Sequence, residues 1–461
     1  MGALGSWHRC AVWQIMILGG ISAGCGPRQQ PEPQTSKTFE PFDDEPATAL
    51  TPKPNRPPEQ TRAELRSRPP RRTVMCTPPA DVCASFDPLH TTDTNASLSA
   101  LLASKALRGL QALRLPAPRT SVQDHGALFL YIDPDEPLAA PYADPGSTAG
   151  APHDTASAFV ITPPLTTDCR SQHDLARAVA GASLLAHDAA TDATVLSMLG
   201  AHLANLLEPC ADLELEQLDA MQRAPERTFV GPLFEPAPGA FLFPQFLEDR
   251  FGTDEPGRLT AALIAISSQR TLRGALVDEP DMFDALRVTQ SRNGSSVDDT
   301  LLEFAINRAF MGSRSDDLHM LDVAKLGDAG RVRFEWQVDH STLPRSLAPL
   351  RPIEPLGATY VLVTLDSILP GAELTFSAEW EEPANFRWAI IKLKHDGSEL
   401  GRSEVTPVLG EYKIQRDVRD LGGARALLIV GLHEGATRRD EPFDPGQFRE
   451  MPRGYTMTLY P

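Results

Sequence analysis

The chain has 461 residues, 41% of them hydrophobic and 23% charged, enough material for two or three ordinary domains. Of its 43 Lys+Arg and 61 Asp+Glu, residues 1–73 hold 10 and 7, leaving 33 and 54, a net of −21, for residues 74–461. A body that acidic repels phosphate backbones, whose binding demands Lys and Arg, and this argues against a nucleic-acid partner.

The N-terminus has the three parts of an export signal. A basic start (His8, Arg9) leads into an apolar run from Cys10 to Ile21, broken only by Gln14, and then into the small residues Ser22, Ala23 and Gly24 before Cys25. The run is too short for a stable membrane span. Its end resembles the bacterial lipobox, in which small residues precede an obligatory Cys, although Ser22 stands where Leu is usual. The resemblance implies a lipoprotein signal peptide over residues 1–24 and a lipid on Cys25. An ordinary secretory signal cleaved near Ala23 or Gly24 is the alternative. No later stretch reaches the roughly 18–20 apolar residues of a spanning helix. The expected partner is therefore a membrane, reached by a lipid anchor alone, and the expected place is the bacterial cell envelope, on the outer membrane, periplasmic or surface face.

Cysteine parity agrees with export. Without Cys10 and Cys25, four remain: Cys76, Cys83, Cys169 and Cys210. Four cysteines allow three disulfide connectivities, and pairing nearest neighbours gives Cys76 with Cys83 and Cys169 with Cys210. The C-x6-C spacing and the lack of any CxxC argue against structural zinc.

Residues 25–73 are expected to be a disordered tether: eleven prolines lie between Pro27 and Pro70, with few large apolar side chains to offset backbone ordering. The basic run Arg62, Arg66, Arg68, Arg71 and Arg72 closes it, read as a solvated tail, with contact to anionic lipid headgroups as the alternative.

Residues 74–330 are expected to form a mainly helical domain. Leu98, Leu101, Leu102, Leu107, Leu110 and Leu113 have helical spacing that ends before Pro116 and Pro118. The runs Ala127–Ile132 and Ala158–Ile161 read as strands, and residues 133–157 as a loop. A helix opening on Ser171 and Asp174, a weak capping box, carries Leu175, Val179, Ala182 and Leu185. A second spans about 192–208, and further helices fit 211–223, 239–251, 256–269, 280–290 and 297–311.

The period changes at Arg331. Val332, Phe334, Trp336 and Val338 alternate with polar residues, as in a strand with one buried face. Further strands fit 358–366, 373–380, 386–394, 411–418, 425–432 and 454–460, a count and spacing that predict a β-sandwich over 331–461. The fold class is thus α+β, a helical domain followed by an antiparallel sandwich. Trp336, Trp380 and Trp388 are assigned to the sandwich core rather than to an exposed sugar-stacking platform.

One segment resembles a catalytic motif. Zincin metalloproteases place HExxH on a helix, where two imidazoles one turn apart hold the metal and the Glu activates water. Here the string is His173, Asp174, Leu175, Ala176, Arg177. Arg177 is always protonated and has no lone pair to ligate with. Asp174 is a methylene shorter than the usual base. The wider layout, strands before the motif helix, a second helix about 20 residues on, more helices and a sandwich tail, resembles secreted gluzincin-type metalloproteases of myxobacteria and their relatives, over roughly residues 120–461. That resemblance implies a third-ligand Glu on the second helix, yet Val195 to His202 contains none. It therefore implies a pseudoenzyme with no catalytic residue, metal or cofactor. A site rebuilt from His173, His187, Asp188 and His202 is the alternative that would keep a metal.

Other motifs carry less. No GxSxG elbow, phosphate loop or dinucleotide fingerprint is present. Asp298 and Asp299 read as a helix start, and Asp316 and Asp317 as loop charges, since no calcium-loop spacing surrounds them. The functional expectation is an exported, membrane-anchored, noncatalytic lipoprotein that binds a protein or glycan or organises the envelope. The alternative is a hydrolase, a metal-dependent peptidase with an unrecognised site.

Overall fold

The computed structural model describes residues 65–121, 124–144, 155–189, 191–230, 238–268, 280–316, 318–319, 330–365, 372–382, 384–408, 411–435 and 452–461. Cys25, the signal segment, the tether up to Glu64 and Asp317 lie outside them. Among the described residues the fold is α+β, with a β-rich C-terminal part, and none of its helices is long and apolar enough to cross a membrane.

The eight helices expected over 74–330 are present, and the N-terminal part also holds a five-stranded mixed sheet. Strands β1 (Thr73–Cys76), β2 (Val82–Phe86), β3 (Leu128–Ile132), β4 (Ala140–Ala143) and β5 (Ala158–Thr162) are ordered β1-β2-β3-β5-β4. The central strands β2, β3 and β5 run parallel, with β1 and β4 antiparallel at the edges. Helix α1 (Asp93–Ala112) makes the crossover from β2 to β3. β2, β3 and β5 are buried on both faces and so show no polar alternation, and β4 contains Pro141. β3 and β5 are still marked by unbroken apolar runs, whereas β2 includes Cys83 and Ser85 and the edge strands β1 and β4 are four residues long, too short to show a period.

One face of this sheet packs against α1 and α2 (Cys169–His187). The other carries Cys83, Phe129, Tyr131, Phe159 and Ile161, with Tyr142 beside them. Residues from Leu65 onward run across that second face, so the end of the expected solvated tail is folded onto the body. Arg66, Arg68 and Arg71 sit over the rings of Tyr142, Phe159 and Phe129 at 5.1, 5.1 and 4.2 Å. Each also meets a carboxylate: Arg66 reaches Glu136 at 2.6 Å, Arg68 reaches Asp124 at 2.6 Å, and Arg71 pairs with the same Asp124. Three of the five arginines of the basic run are thus engaged by aromatic faces and carboxylates of the body.

α2 starts one turn earlier than its sequence predicts, on Asp168, whose side chain accepts the Ser171 amide. It is followed by α3 (Ala193–Leu207), α4 (Ala211–Arg223), α5 (Leu242–Phe251), α6 (Arg258–Ser267), α7 (Met282–Arg292) and α8 (Val297–Ala309). Disulfides join Cys76 to Cys83 and Cys169 to Cys210.

The C-terminal strands form two facing sheets. One has the order β11-β10-β13-β8-β6, from β11 (Glu399–Val405), β10 (Phe386–Leu393), β13 (Ala426–His433), β8 (Ala358–Thr364) and β6 (Trp336–Asp339). The other has the order β12-β9-β14-β7, from β12 (Lys413–Val418), β9 (Leu374–Trp380), β14 (Tyr455–Tyr460) and β7 (Arg345–Leu347). β7 and β11 are unexpected, being short or polar, and the β6–β8 pair is parallel, so the sandwich is not purely antiparallel. Trp380 and Trp388 are in its core and Trp336 packs at its margin, donating its indole N–H to the Ala348 carbonyl.

Sandwich and helices share polar contacts. The Tyr360 hydroxyl donates to the Ala305 carbonyl of α8 at 2.8 Å, and Arg387 binds Asp299 at the start of α8 and Glu434.

Candidate functional site

The motif helix α2 brings His173, Asp174 and Arg177 near one wall of a cleft, but it does not aim them at a common point. His173 is 1% exposed, and its Nε2 lies 2.8 Å from Asn205 Oδ1 of α3. Its Nδ1 is buried with no hydrogen-bond partner, and burial pushes the imidazole below its ordinary pKa. The ring is therefore neutral and committed to an amide on the neighbouring helix.

Arg177, one turn on, is a quarter exposed. Its Nη2 donates to the Ala139 carbonyl just before β4, at 3.3 Å, and its Nε lies 3.7 Å from Asp174 Oδ1. Asp174 is thus a charge partner to Arg177. α3 passes close enough that a Cβ at Gly200 would stand 3.3 Å from the Arg177 carbonyl.

The cleft lies between β4, α2 and α3. Ala140, Pro141, Tyr142, Arg177, Gly181, Ala193, Leu196 and Ser197 line about 220 Å³. Its width depends on Gly181, where any Cβ would come within 2.6 Å of Pro141 Cγ. The strand edge that forms one wall is already partly used. Pro141 has no amide to donate, Ala139 is held by Arg177, and the Ala143 carbonyl accepts the Arg66 amide at 3.1 Å. An extended peptide finds few free ladder groups there.

The rebuilt metal site does not assemble. His187 Nε2 bonds the Ala117 carbonyl at 3.0 Å. His202 is fully buried, lacks a partner on Nε2, and is pushed down to about 4 by that burial. Asp188 closes the C-terminus of α2. Among the described residues no three His, Cys, Asp or Glu side chains are grouped to hold a metal ion.

The remaining acidic candidates have structural partners. Asp298 and Asp299 occupy the first turn of α8 behind the Ser296 cap, and Arg387 holds both. Asp316 accepts from His319 Nδ1 at 2.6 Å and from the Glu399 amide, while His319 Nε2 lies 3.2 Å from Glu399 Oε2. The His319 ring stacks on Phe310 with centroids 3.8 Å apart. This buried chain continues through Arg402 to Glu303, tying β11 to α8. No sequence motif marks it, since its members are 99 residues apart at the widest. Gly181 and Gly200, glycines inside helices where they cost stability, were the one sequence signal for a close approach at the cleft.

No family model matches the chain, and neither does any curated protein. Among solved structures it is similar to several over about a quarter of its length. The pre-peptidase C-terminal domain of a collagenase from Bacillus anthracis matches at 8% identity over 28% of this chain and 96% of that one, with a TM-score of 0.19. A Yersinia pseudotuberculosis-derived mitogen matches at 9% over 26% and 86%, TM-score 0.18. A CBM22-1 xylan-binding domain from Paenibacillus barcinonensis matches at 12% over 25% and 70%, TM-score 0.15. Scores this low carry no argument about fold or function.

Proposed function

We propose that this protein is an exported, lipid-anchored, noncatalytic binding protein of the bacterial envelope, with a body related to metalloproteases of the zincin class. The observation that carries the reading is Arg177. It stands where the second metal ligand would be, it is hooked to the Ala139 carbonyl, and it has no lone pair to offer. The layout of strands, motif helix, second helix and sandwich supports the ancestry, and Cys25 with its preceding small residues supports the anchor.

The hydrolase alternative needs a water-accessible cleft holding His173, Asp174 and at least two further convergent polar groups. His173 is sealed and does not line the cleft, which favours binding over turnover. The test is hydrolysis of a mixed peptide library by the full-length protein with added zinc. The expected outcome is no turnover; turnover that disappears in His173→Ala overturns the reading. For the anchor, labelled palmitate is expected on the wild type and absent from Cys25→Ser, with loss of membrane retention.

A further inference from the structure

We propose that the cleft between β4, α2 and α3 binds a small carboxylate bearing a short apolar group, with Arg177 as the anion-binding residue. The assignment rests on the noncatalytic reading only in treating the Arg177 end of the cleft as metal-free.

Charge is the first support. Arg177 lines the cleft, and because a net charge of −21 over residues 74–461 repels anions, the attraction for a carboxylate comes from this local guanidinium alone. Its guanidinium has five N–H donors. One donates to the Ala139 carbonyl at 3.3 Å, and the nearest carboxylate oxygen, on Asp174, is 3.7 Å from Nε, longer than a charge-assisted hydrogen bond. Donors remain for a planar anion approaching from the cleft. Ser197 adds a hydroxyl to the lining.

Shape is the second. Pro141, Leu196, Ala140, Ala193 and the Cβ-less wall at Gly181 give the cleft an apolar lining, completed by Tyr142 with its single hydroxyl. About 220 Å³ falls below the range of drug-sized pockets, so the apolar group is short. A carboxylate on Arg177 with a few carbons against Pro141 and Leu196 satisfies both features. The same chemistry is offered by a free short-chain acid and by the C-terminal residue of a peptide. Asp174 opposes the ligand, so its neutralisation should tighten binding.

The experiment is isothermal titration of the full-length protein with 4-methylpentanoate, its amide, and the tripeptide Ala-Ala-Leu with a free or an amidated C-terminus. The expected result is saturable one-site binding of at least one carboxylate probe, no binding of either amide, and a loss of about tenfold or more in Arg177→Met. Asp174→Asn should bind the same probe more tightly. Binding of the peptide alone assigns a peptide terminus as the source; binding of the free acid assigns a small metabolite-like acid. Equal binding of acid and amide, unchanged affinity in Arg177→Met, or no saturable binding of any probe overturns the proposal. If Arg177→Met does not fold, Ser197→Leu narrows the cleft with Arg177 intact and must also weaken binding. Stoichiometric zinc in the same preparation would defeat the noncatalytic reading alone, whereas indifference to Arg177→Met defeats this one.

Discussion

Replacing Asp124 by Ala should release the chain segment that crosses the outer face of the N-terminal sheet. The Asp124 side chain is 1% exposed and accepts from Arg68 at 2.6 Å, from Arg71, and from the Ser121 amide at 3.1 Å. Removing one member of a buried ion pair costs about 3–5 kcal/mol. Here Arg68 keeps Asp144 at 3.3 Å and Arg71 is 38% exposed, which lowers the expected cost to about 2–3 kcal/mol. That raises the open population of the segment roughly 30- to 150-fold. Trypsin cleavage after Arg71 and Arg72, followed by mass spectrometry, reads this population when opening is fast relative to cleavage. Asp87→Ala is the control, since its pair with Arg72, which is 56% exposed, is a surface contact worth at most about 1 kcal/mol. If Asp124→Ala accelerates cleavage no more than Asp87→Ala, the buried acid does not hold the segment and the reasoning fails.

Three further outcomes follow from the packing and charge of the fold. Gly431→Ala should destabilise the sandwich by about 1–3 kcal/mol in denaturant unfolding, because its Cβ would stand 2.5 Å from the buried Trp388 ring; an unchanged midpoint contradicts the close approach. Glu399 is held down to about 2, against the cost of its burial, by hydrogen bonds and charge from His319 and Arg402. A depressed folded pKa contributes stability that is present above the ordinary glutamate value near 4.5 and is lost as pH falls towards about 2. Acid unfolding of Glu399→Gln should show a shallower slope across that window; an identical slope would refute the linkage. Loss of the Cys169–Cys210 disulfide, which spans 41 residues, should cost about 4 kcal/mol by loop entropy, against about 2 kcal/mol for Cys76–Cys83, which spans 7. Equal effects in paired Cys→Ser variants would argue against a chain-entropy origin.

Helices and sandwich strands were legible where one face is polar. α4, predicted over 211–223, is found at Ala211–Arg223, and β9, predicted over 373–380, at Leu374–Trp380. Strands buried throughout are legible where an unbroken apolar run marks them, as at β3, β5 and β13, whereas β2 has Cys83 and Ser85 within its five residues and lacks that mark. The arginines of residues 62–72 were read by composition as a solvated tail, because nothing local in that stretch announces Phe129, Phe159 or Asp124, which lie 53 to 91 positions away. At the site, the unsuitability of Arg177 as a ligand follows from its chemistry alone. Its contact with Ala139 and the cleft beside it arise from tertiary packing of β4 and α3 on α2, with Gly181 and Gly200 as their trace in the sequence.

The central proposal is that the helix bearing His173 holds no metal, since Arg177 has no lone pair to offer and His173 is bound to Asn205. Elemental analysis of the full-length protein, purified without chelators, tests it most directly. The account predicts zinc far below one atom per chain, unchanged in His173→Ala. One zinc per chain in the wild type, lost in His173→Ala, would contradict it.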